Sequence, residues 1–243
     1  MELFSATFWV ALAQIIGVNL ILSGDNAVVI ALAARSLPPR QQNKAIFWGS
    51  GAAVALRIVL TIIAVELLRL PYLQFVGAAL LLWIGIKLLL PEDEREDGQD
   101  GGVGGGLSAA IRTILIADLV MSLDNVIAVA AAAKGSLLLL ILGLAISIPL
   151  VIFGSTLLLK LMQRYSFIIT IGGGLLGWVA GEMAVTDPLV KEIVDVQLQW
   201  LHVAGPMAGA ALVIAIGKWW GAATVSARKP AAAGAETGTN RSN

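Results

Sequence analysis

The sequence predicts an all-α protein: a polytopic bundle of seven transmembrane helices, made of two inverted three-helix repeats and one additional C-terminal helix. Three observations predict it. The 243 residues are 58% hydrophobic and 13% charged, with a mean hydropathy of +0.88, whereas soluble domains carry about 25% charged residues. The apolar residues form long runs. A polar motif inside the first run returns inside the fourth.

Each apolar run is long enough to cross a bilayer as a helix, which takes about 20 mostly apolar residues. Barrel strands would alternate in polarity and would not form continuous apolar runs. The predicted spans cover approximately residues 6–34, 44–67, 72–90, 109–133, 136–160, 166–186 and 199–220.

A polar linker divides the chain into two halves, and a polar tail follows the last apolar run. The segment "PEDEREDGQDGGVGGG" is charged and then glycine-rich, a composition that cannot bury a core. We therefore divide the chain into a first repeat (1–90), a cytoplasmic linker (91–108), a second repeat (109–186), a loop with the seventh helix (187–222) and a disordered cytoplasmic tail (223–243).

The basic residues predict the orientation, because cytoplasmic loops are enriched in Lys and Arg. With the N-terminus outside, the outward segments hold only Arg69, Lys134 and Lys191. The inward segments then hold Arg35, Arg40, Lys44, Arg95, Arg112, Lys160, Arg164, Lys218, Arg228, Lys229 and Arg241. The sequence therefore predicts a multi-pass protein of the cell (inner or plasma) membrane, with its N-terminus outside and its C-terminus in the cytoplasm.

The two halves contain the same motif. "NLILSGDN" (19–26) and "DLVMSLDN" (118–125) match with a constant offset of 99 residues. "VGAALLLWIGIK" (76–87) similarly resembles "IGGGLLGWVAGE" (171–182). Because each copy spans three helices, the second copy crosses the membrane in the opposite sense. Such inverted repeats are typical of secondary transporters, whose sites lie near the midplane between the repeats.

Four charged residues fall well within the predicted spans, namely Asp25, Arg57, Asp118 and Asp124. Each costs about 2.5–3.5 kcal/mol at the centre of an isolated helix. Such groups are expected to face one another, water or an ion. We favour Arg57 as a counter-ion to an aspartate over Arg57 as a substrate ligand.

The geometry of the first motif leaves two alternatives open. Its two asparagines and its serine lie on one stripe of a helix, at i, i+4 and i+7. Asp25 points about 100° away from Asn26 on a regular helix. Either Asp25 faces a different neighbour, or the helix opens near Ser23 and Gly24 and exposes carbonyl groups. Leu123 at the position matching Gly24 makes an opening less plausible in the second copy.

Superposed about a pseudo-twofold axis, the motifs would form one oxygen-lined site with three carboxylates. Oxygen ligands suit magnesium, calcium or manganese. One histidine and no cysteine leave little for a zinc, copper or iron–sulfur site. Met121 lies between Asp118 and Asp124, where its thioether would favour manganese over calcium, although simple packing is its default role.

Other residues have weaker expectations. Glu182 is a candidate accessory gate or ligand, although snorkelling towards the interface is its default role. Ser23 and Ser122 add hydroxyl groups beside the acidic positions. A purely structural alternative treats the motifs as interhelical hydrogen-bonding groups. Duplication and three carboxylates are more than that role requires.

The motifs, the three-plus-three-plus-one layout and the "GxxLLxW" segments resemble the TerC family of integral membrane proteins, in particular its YjbE-type branch, over about residues 5–220. That family belongs to the lysine-exporter superfamily, and its members are linked to manganese export and to metal supply for extracytoplasmic enzymes. The resemblance implies metal handling by Asp25, Asn26, Asp118, Asp124 and Asn125. Asn19 stands where many relatives carry an acidic residue, so one ligand here would be neutral.

The expected function is a secondary transporter that exports divalent cations, with manganese as the favoured ion. The alternative is an exporter of amino acids or another small solute. An enzyme is not expected, because no Ser–His pairing or HExxH motif is present. Expected partners are the bilayer, the transported ion and protons as the candidate coupling ion, with a homo-oligomer left open. A tightly bound cofactor is not expected, and a net charge of zero gives no nucleic-acid footprint.

Overall fold

The computed structural model describes residues 6–67, 72–90, 105–133 and 136–236, and within these ranges the chain is entirely helical between its turns. Nine helices lie in this described part. They are α1 (Ala6–Leu22), α2 (Gly24–Ala34), α3 (Pro39–Leu67), α4 (Leu73–Leu89), α5 (Gly105–Ala132), α6 (Leu137–Arg164), α7 (Phe167–Thr186), α8 (Lys191–Gln197) and α9 (Leu201–Glu236).

Within the part of the chain that the structure describes, five segments are long and apolar enough to cross a membrane: Pro39–Ile63, Gly106–Leu123, Leu137–Arg164, Phe167–Thr186 and Leu201–Gly221. Helices α1 and α2 pass the same test together, bent by 49°, as a broken span or a re-entrant loop. Helix α4 is apolar but has only 17 residues. The protein is therefore an integral multi-pass membrane protein, and a count of seven spans stays a prediction.

Two boundaries differ from the sequence-based expectation. Helix α5 begins at Gly105, inside the expected linker, of which residues 91–104 lie outside the described part. Helix α9 continues to Glu236, through most of the expected disordered tail, and residues 237–243 lie outside the described part. The tail contains "AAAGA", and alanine has the highest helix propensity. A continuous backbone helix therefore extends beyond the apolar segment.

Helices of the first half of the chain pack mainly on helices of the second half. Helix α3 packs chiefly on α5, while α6 packs on both α1 and α2. Helix α4 packs on α7, and α7 also packs closely on α9. A Cβ atom added to Gly177 or Gly181 would meet the backbone of Gly209 or Gly205, so these glycines allow the α7 and α9 backbones to touch. The glycines of this region therefore serve close helix packing.

A buried carboxylate joins two helix ends on one side of the bundle. Asp187 follows α7 and is wholly buried. Its Oδ2 atom accepts a hydrogen bond from the backbone N–H of Phe75 near the start of α4 (3.2 Å), and its Oδ1 atom accepts one from Leu189 (3.0 Å). Because a buried carboxylate needs such partners, Asp187 attaches the start of α4 to the end of α7.

Two hydrophobic clusters form the interior. The larger cluster includes the second half of α2, the first halves of α3 and α5, and the second half of α6. The smaller cluster joins the first half of α1 to the last part of α5 and the first part of α6. Along α1–α2, the polar motif lies between these two clusters. Along α5, it overlaps the end of the larger cluster, which includes Val120 and Met121, and precedes the smaller one.

Candidate functional site

The first polar motif contains a helix break. Helix α1 ends at Leu22, Ser23 has φ −110° and ψ 4°, and α2 begins at Gly24. This is the opening near Ser23 and Gly24 that sequence analysis considered. In the second motif, α5 continues through Leu123 without a break. The two copies therefore differ where glycine and leucine differ, because glycine is the poorer helix former.

The guanidinium group of Arg57, on α3, is the centre of a buried hydrogen-bonded cluster. Its Nε atom donates to Oγ of Ser122 (2.9 Å), and Nη2 donates to Oδ1 of Asp118 (2.5 Å). Its Nη1 atom donates to Oδ1 of Asn19 (2.7 Å) and to Oγ of Ser23 (2.9 Å). One side chain thus binds four side-chain oxygen atoms from both motifs, and the predicted pairing of Arg57 with an aspartate is confirmed.

The four acceptors of Arg57 occupy matching positions in the two copies. Asn19 corresponds to Asp118, and Ser23 corresponds to Ser122. In each copy, the serine hydroxyl also donates to the residue four positions earlier, at 3.3 Å in the first and 3.2 Å in the second. The cluster therefore consists of two equivalent half-sites that face one guanidinium.

The cluster lies in the protein interior. Asn19, Ser23, Arg57, Asp118 and Ser122 are each 6% exposed or less. Val54 and Ile58, beside Arg57 on α3, pack in the smaller cluster, whereas residues 45–53 of the same helix contribute to the larger one. We call these five side chains the polar layer, and we call this conformation closed because all five are buried.

Asp25 and Asn26 lie beside this cluster at the start of α2. Oδ1 of Asp25 accepts a hydrogen bond from the backbone N–H of Asn26 (2.8 Å), which places a carboxylate at the positive end of a helix dipole. Asp25 is half-buried. Asn26 is buried, and among the described residues neither its Oδ1 nor its Nδ2 has a hydrogen-bond partner. Buried polar groups normally have partners, so this carboxamide has unused ligand capacity.

The remaining predicted residues lie in different surroundings. The side chain of Asp124 is outside the described part, and Asn125 is half-buried. Met121 is packed in the larger hydrophobic cluster, which is the packing role that sequence analysis gave as its default. Glu182 is exposed on α7 and does not join the cluster. Among the described residues, no group of three or more acidic, histidine or cysteine side chains forms a metal site.

Thr61, which the sequence pattern did not single out, supports Arg57. Its Oγ1 atom donates to the backbone carbonyl of Arg57 (2.7 Å), one helical turn away. The available signal was the i, i+4 spacing of a hydroxyl residue after a buried arginine. That spacing is common in membrane helices and does not by itself mark a site.

The cluster can bind a cation through oxygen atoms. Its acceptors are a carboxylate, a carboxamide oxygen and two hydroxyl groups, all of which already bind the positive charge of Arg57. These are oxygen ligands of the type that hard divalent cations take. The set has one carboxylate where the sequence predicted three, with Asp25 adjacent and Asp124 undescribed.

Comparisons with known proteins agree with this description. The sequence profile described as "Integral membrane protein TerC family" matches residues 4–224. The chain is 47% identical over 180 residues to "Uncharacterized membrane protein YjbE" of Bacillus subtilis, which covers 74% of this chain and 81% of that protein. It is 26% identical over 211 residues to "Uncharacterized membrane protein YkoY" of the same organism, which covers 80% of this chain and 65% of that protein. No solved structure matches the chain.

Proposed function

The chain belongs to the TerC family of integral membrane proteins, and from that premise we propose that it is a secondary transporter that exports a divalent metal cation across the cell membrane. The observation that supports this most is the convergence of Asn19, Ser23, Asp118 and Ser122 on one buried positive charge. Buried polar groups are costly in a membrane protein and mark ion pathways.

Manganese is the cation that we propose. Its ligand preference is for carboxylate, carbonyl and water oxygen atoms. Ionised Asp25, Asp118 and Asp124 together with Arg57 carry a net charge of −2, which matches one divalent cation. The transported ion is cargo, and no tightly bound cofactor is part of the proposal. Protons are the proposed coupling ion, because carboxylates must lose a proton to bind metal.

Alternating access is the proposed mechanism. It rests on seven spans arranged as two inverted repeats, with α1–α2 as one broken span. The exchange of partners, in which α3 packs on α5 while α6 packs on α1 and α2, supports a pseudo-twofold relation between the halves. The burial of all five side chains of the polar layer supports an occluded step. If one hydrophobic cluster opened while the other stayed packed, the polar layer would be exposed to one side of the membrane.

An exporter of amino acids is the second candidate. Arg57 and Asp118 offer the two charges that a zwitterion would match. In the closed conformation, however, they bind each other. An amino acid would have to separate them, and this candidate predicts that amino acids, not Mn²⁺, compete for transport. An enzyme is not proposed.

The test is Mn²⁺ efflux from cells that express the chain. We expect wild type to lower cellular Mn²⁺. Asp25→Ala and Asp124→Ala should each insert normally, because neither adds bulk. Each should export poorly, because each removes a charged group. Asn26→Ala and Asn125→Ala should reduce export less, since a neutral amide binds a hard cation more weakly.

The matched control is Glu192→Ala, which removes an exposed carboxylate on α8. It should export Mn²⁺ as wild type does. A well-expressed Asp25→Ala, Asp124→Ala double variant with normal efflux and normal manganese tolerance would overturn the proposal. Loss of expression in both single variants, without a selective metal phenotype, would instead support a structural role for these aspartates.

A further inference from the structure

Arg57 contacts both half-sites, yet only the first repeat of the chain contains such an arginine. Its guanidinium binds the asparagine and serine of the first copy and the aspartate and serine of the second. The residue 99 positions later in the sequence is Thr156, which is uncharged. The cluster is therefore a duplicated set of oxygen ligands around a single covalently attached cation.

We propose that Arg57 acts as a tethered cation that occupies the cargo site when no metal is bound. This inference rests on the proposed function and deepens it. The transported ion and the guanidinium compete for the same four oxygen atoms. Metal binding therefore requires Arg57 to withdraw from Asp118, and metal release allows Arg57 to return.

The physical reason is the cost of an empty site. Without a cation, Asp118 would be a buried charge in a membrane, with one neighbouring hydroxyl as its remaining partner. An unpaired buried charge is strongly unfavourable. Arg57 removes this cost because its planar fork binds several oxygen atoms at once. The empty carrier can then adopt the closed conformation that it needs in order to change its direction of access.

The withdrawn guanidinium also needs a partner. Asp25 lies at the start of α2, immediately after the helix break and two residues after Ser23, whose hydroxyl accepts a hydrogen bond from Arg57 (2.9 Å). It is half-buried, and its Oδ1 accepts one backbone hydrogen bond. Asp25 would hold Arg57 while the cation occupies the oxygen atoms of the half-sites. Binding of metal and movement of Arg57 are thus coupled through the helix break and the start of α2, which carries Asp25.

Two modes of transport should depend on Arg57 to different extents. Exchange of one Mn²⁺ for another uses only the loaded carrier. Net efflux also requires the empty carrier to return. Without Arg57, the metal should bind more tightly because its competitor is gone, and exchange should continue. Net efflux should fail, because the empty carrier would have to close around an unpaired Asp118.

The experiment uses the full chain in liposomes loaded with Mn²⁺ and a radioactive Mn²⁺ tracer. Net efflux is measured into metal-free buffer, and exchange is measured with equal Mn²⁺ on both sides. Equilibrium binding of Mn²⁺ is measured in detergent. For Arg57→Gln we expect binding at least about tenfold tighter, exchange near the wild-type rate and net efflux at least about tenfold slower.

The control is Arg40→Gln, which removes an exposed arginine on α3 and should leave all three measurements unchanged. Arg57→Lys is the second variant, for use if Arg57→Gln does not fold. A lysine keeps the charge but cannot bind four oxygen atoms in the same planar arrangement. It should keep both modes and still bind Mn²⁺ more tightly than wild type.

The contrary outcomes distinguish failure of this inference from failure of the proposed function. Equal loss of exchange and net efflux in a folded Arg57→Gln variant would make Arg57 necessary for the loaded carrier and overturn the inference. Unchanged binding in Arg57→Gln, or in Arg57→Lys if only that variant folds, would also overturn it. Absence of Mn²⁺ movement by wild type in both modes would overturn the proposed function, and this inference with it.

Discussion

Arg57 and Asp118 form an ion pair with 2.5 Å between Nη2 and Oδ1, and their side chains are only 4% and 7% exposed. They lie on different helices, α3 and α5, which pack closely along their lengths. The pair therefore joins the first half of the chain to the second at the level of the polar layer. Its burial determines how the protein should respond to the loss of either charge.

Removal of one charge should cost more stability than removal of both. Arg57→Gln or Asp118→Asn leaves an unpaired buried charge and should lower the free energy of unfolding by about 3–5 kcal/mol. The double variant has no unpaired charge and should recover much of that loss. Denaturant unfolding of the detergent-solubilised protein measures the cycle. Strictly additive losses would contradict a direct interaction between the two charges.

Asp118→Asn should weaken Mn²⁺ binding and change its pH dependence. Protons and metal compete for a carboxylate, so affinity falls as the pH falls. The amide has no proton to lose, and part of that dependence should disappear. Titration of Mn²⁺ binding over a range of pH values tests this. Ser155→Ala, a wholly buried serine that donates within α6, provides a control. An unchanged affinity and pH profile would exclude Asp118 from the site.

Gly24→Ala should preserve the fold but slow transport. A Cβ atom at Gly24 meets nothing within 4 Å, so the substitution is sterically permitted. Alanine favours a continuous helix and should resist movement at the break between α1 and α2. Mn²⁺ efflux by the reconstituted protein measures the rate. The control is Gly17→Ala in α1, where a Cβ atom also meets nothing within 4 Å. Equal rates for both variants would show that the break need not move.

Gly181→Ala should destabilise the packing of α7 on α9. Its Cβ atom would fall on the backbone of Gly205 and Pro206, which cannot rotate away. Overpacking of this type costs about 1–3 kcal/mol. Thermal unfolding in detergent should show the loss. Gly51→Ala on α3 meets no atom within 4 Å and should be tolerated. A variant as stable as wild type would mean that the two backbones do not touch.

The predicted orientation can be tested with reporters. The bias of basic residues predicts a cytoplasmic C-terminus. A reporter fused after Asn243 should be active only if that reporter functions in the cytoplasm. A second reporter inserted near Lys191, in the segment between α7 and α9 that contains α8, should behave in the opposite way. Activity of the C-terminal fusion outside the cytoplasm would reverse the topology.

The sequence by itself determined the helical membrane class and predicted the polar positions of the candidate site. Continuous apolar runs permit only helices, because an exposed barrel strand must alternate. The repeated motif identified Asn19, Ser23, Asp118 and Ser122 as equivalent pairs, since equivalence is visible in spacing alone. It also indicated Arg57 as a counter-ion, because a charge within an apolar run needs an opposite charge.

Only the tertiary structure decided which groups meet. Contacts between residues 38 to 65 positions apart, such as those of Arg57 with Asn19 and Ser122, depend on the packing of whole helices. Periodicity along one helix gives the face of a residue but not the neighbouring helix. For the same reason, packing decided that Glu182 is exposed and that Met121 lies in the hydrophobic cluster. The sequence supplied the charges, and helix packing placed one guanidinium between the two half-sites.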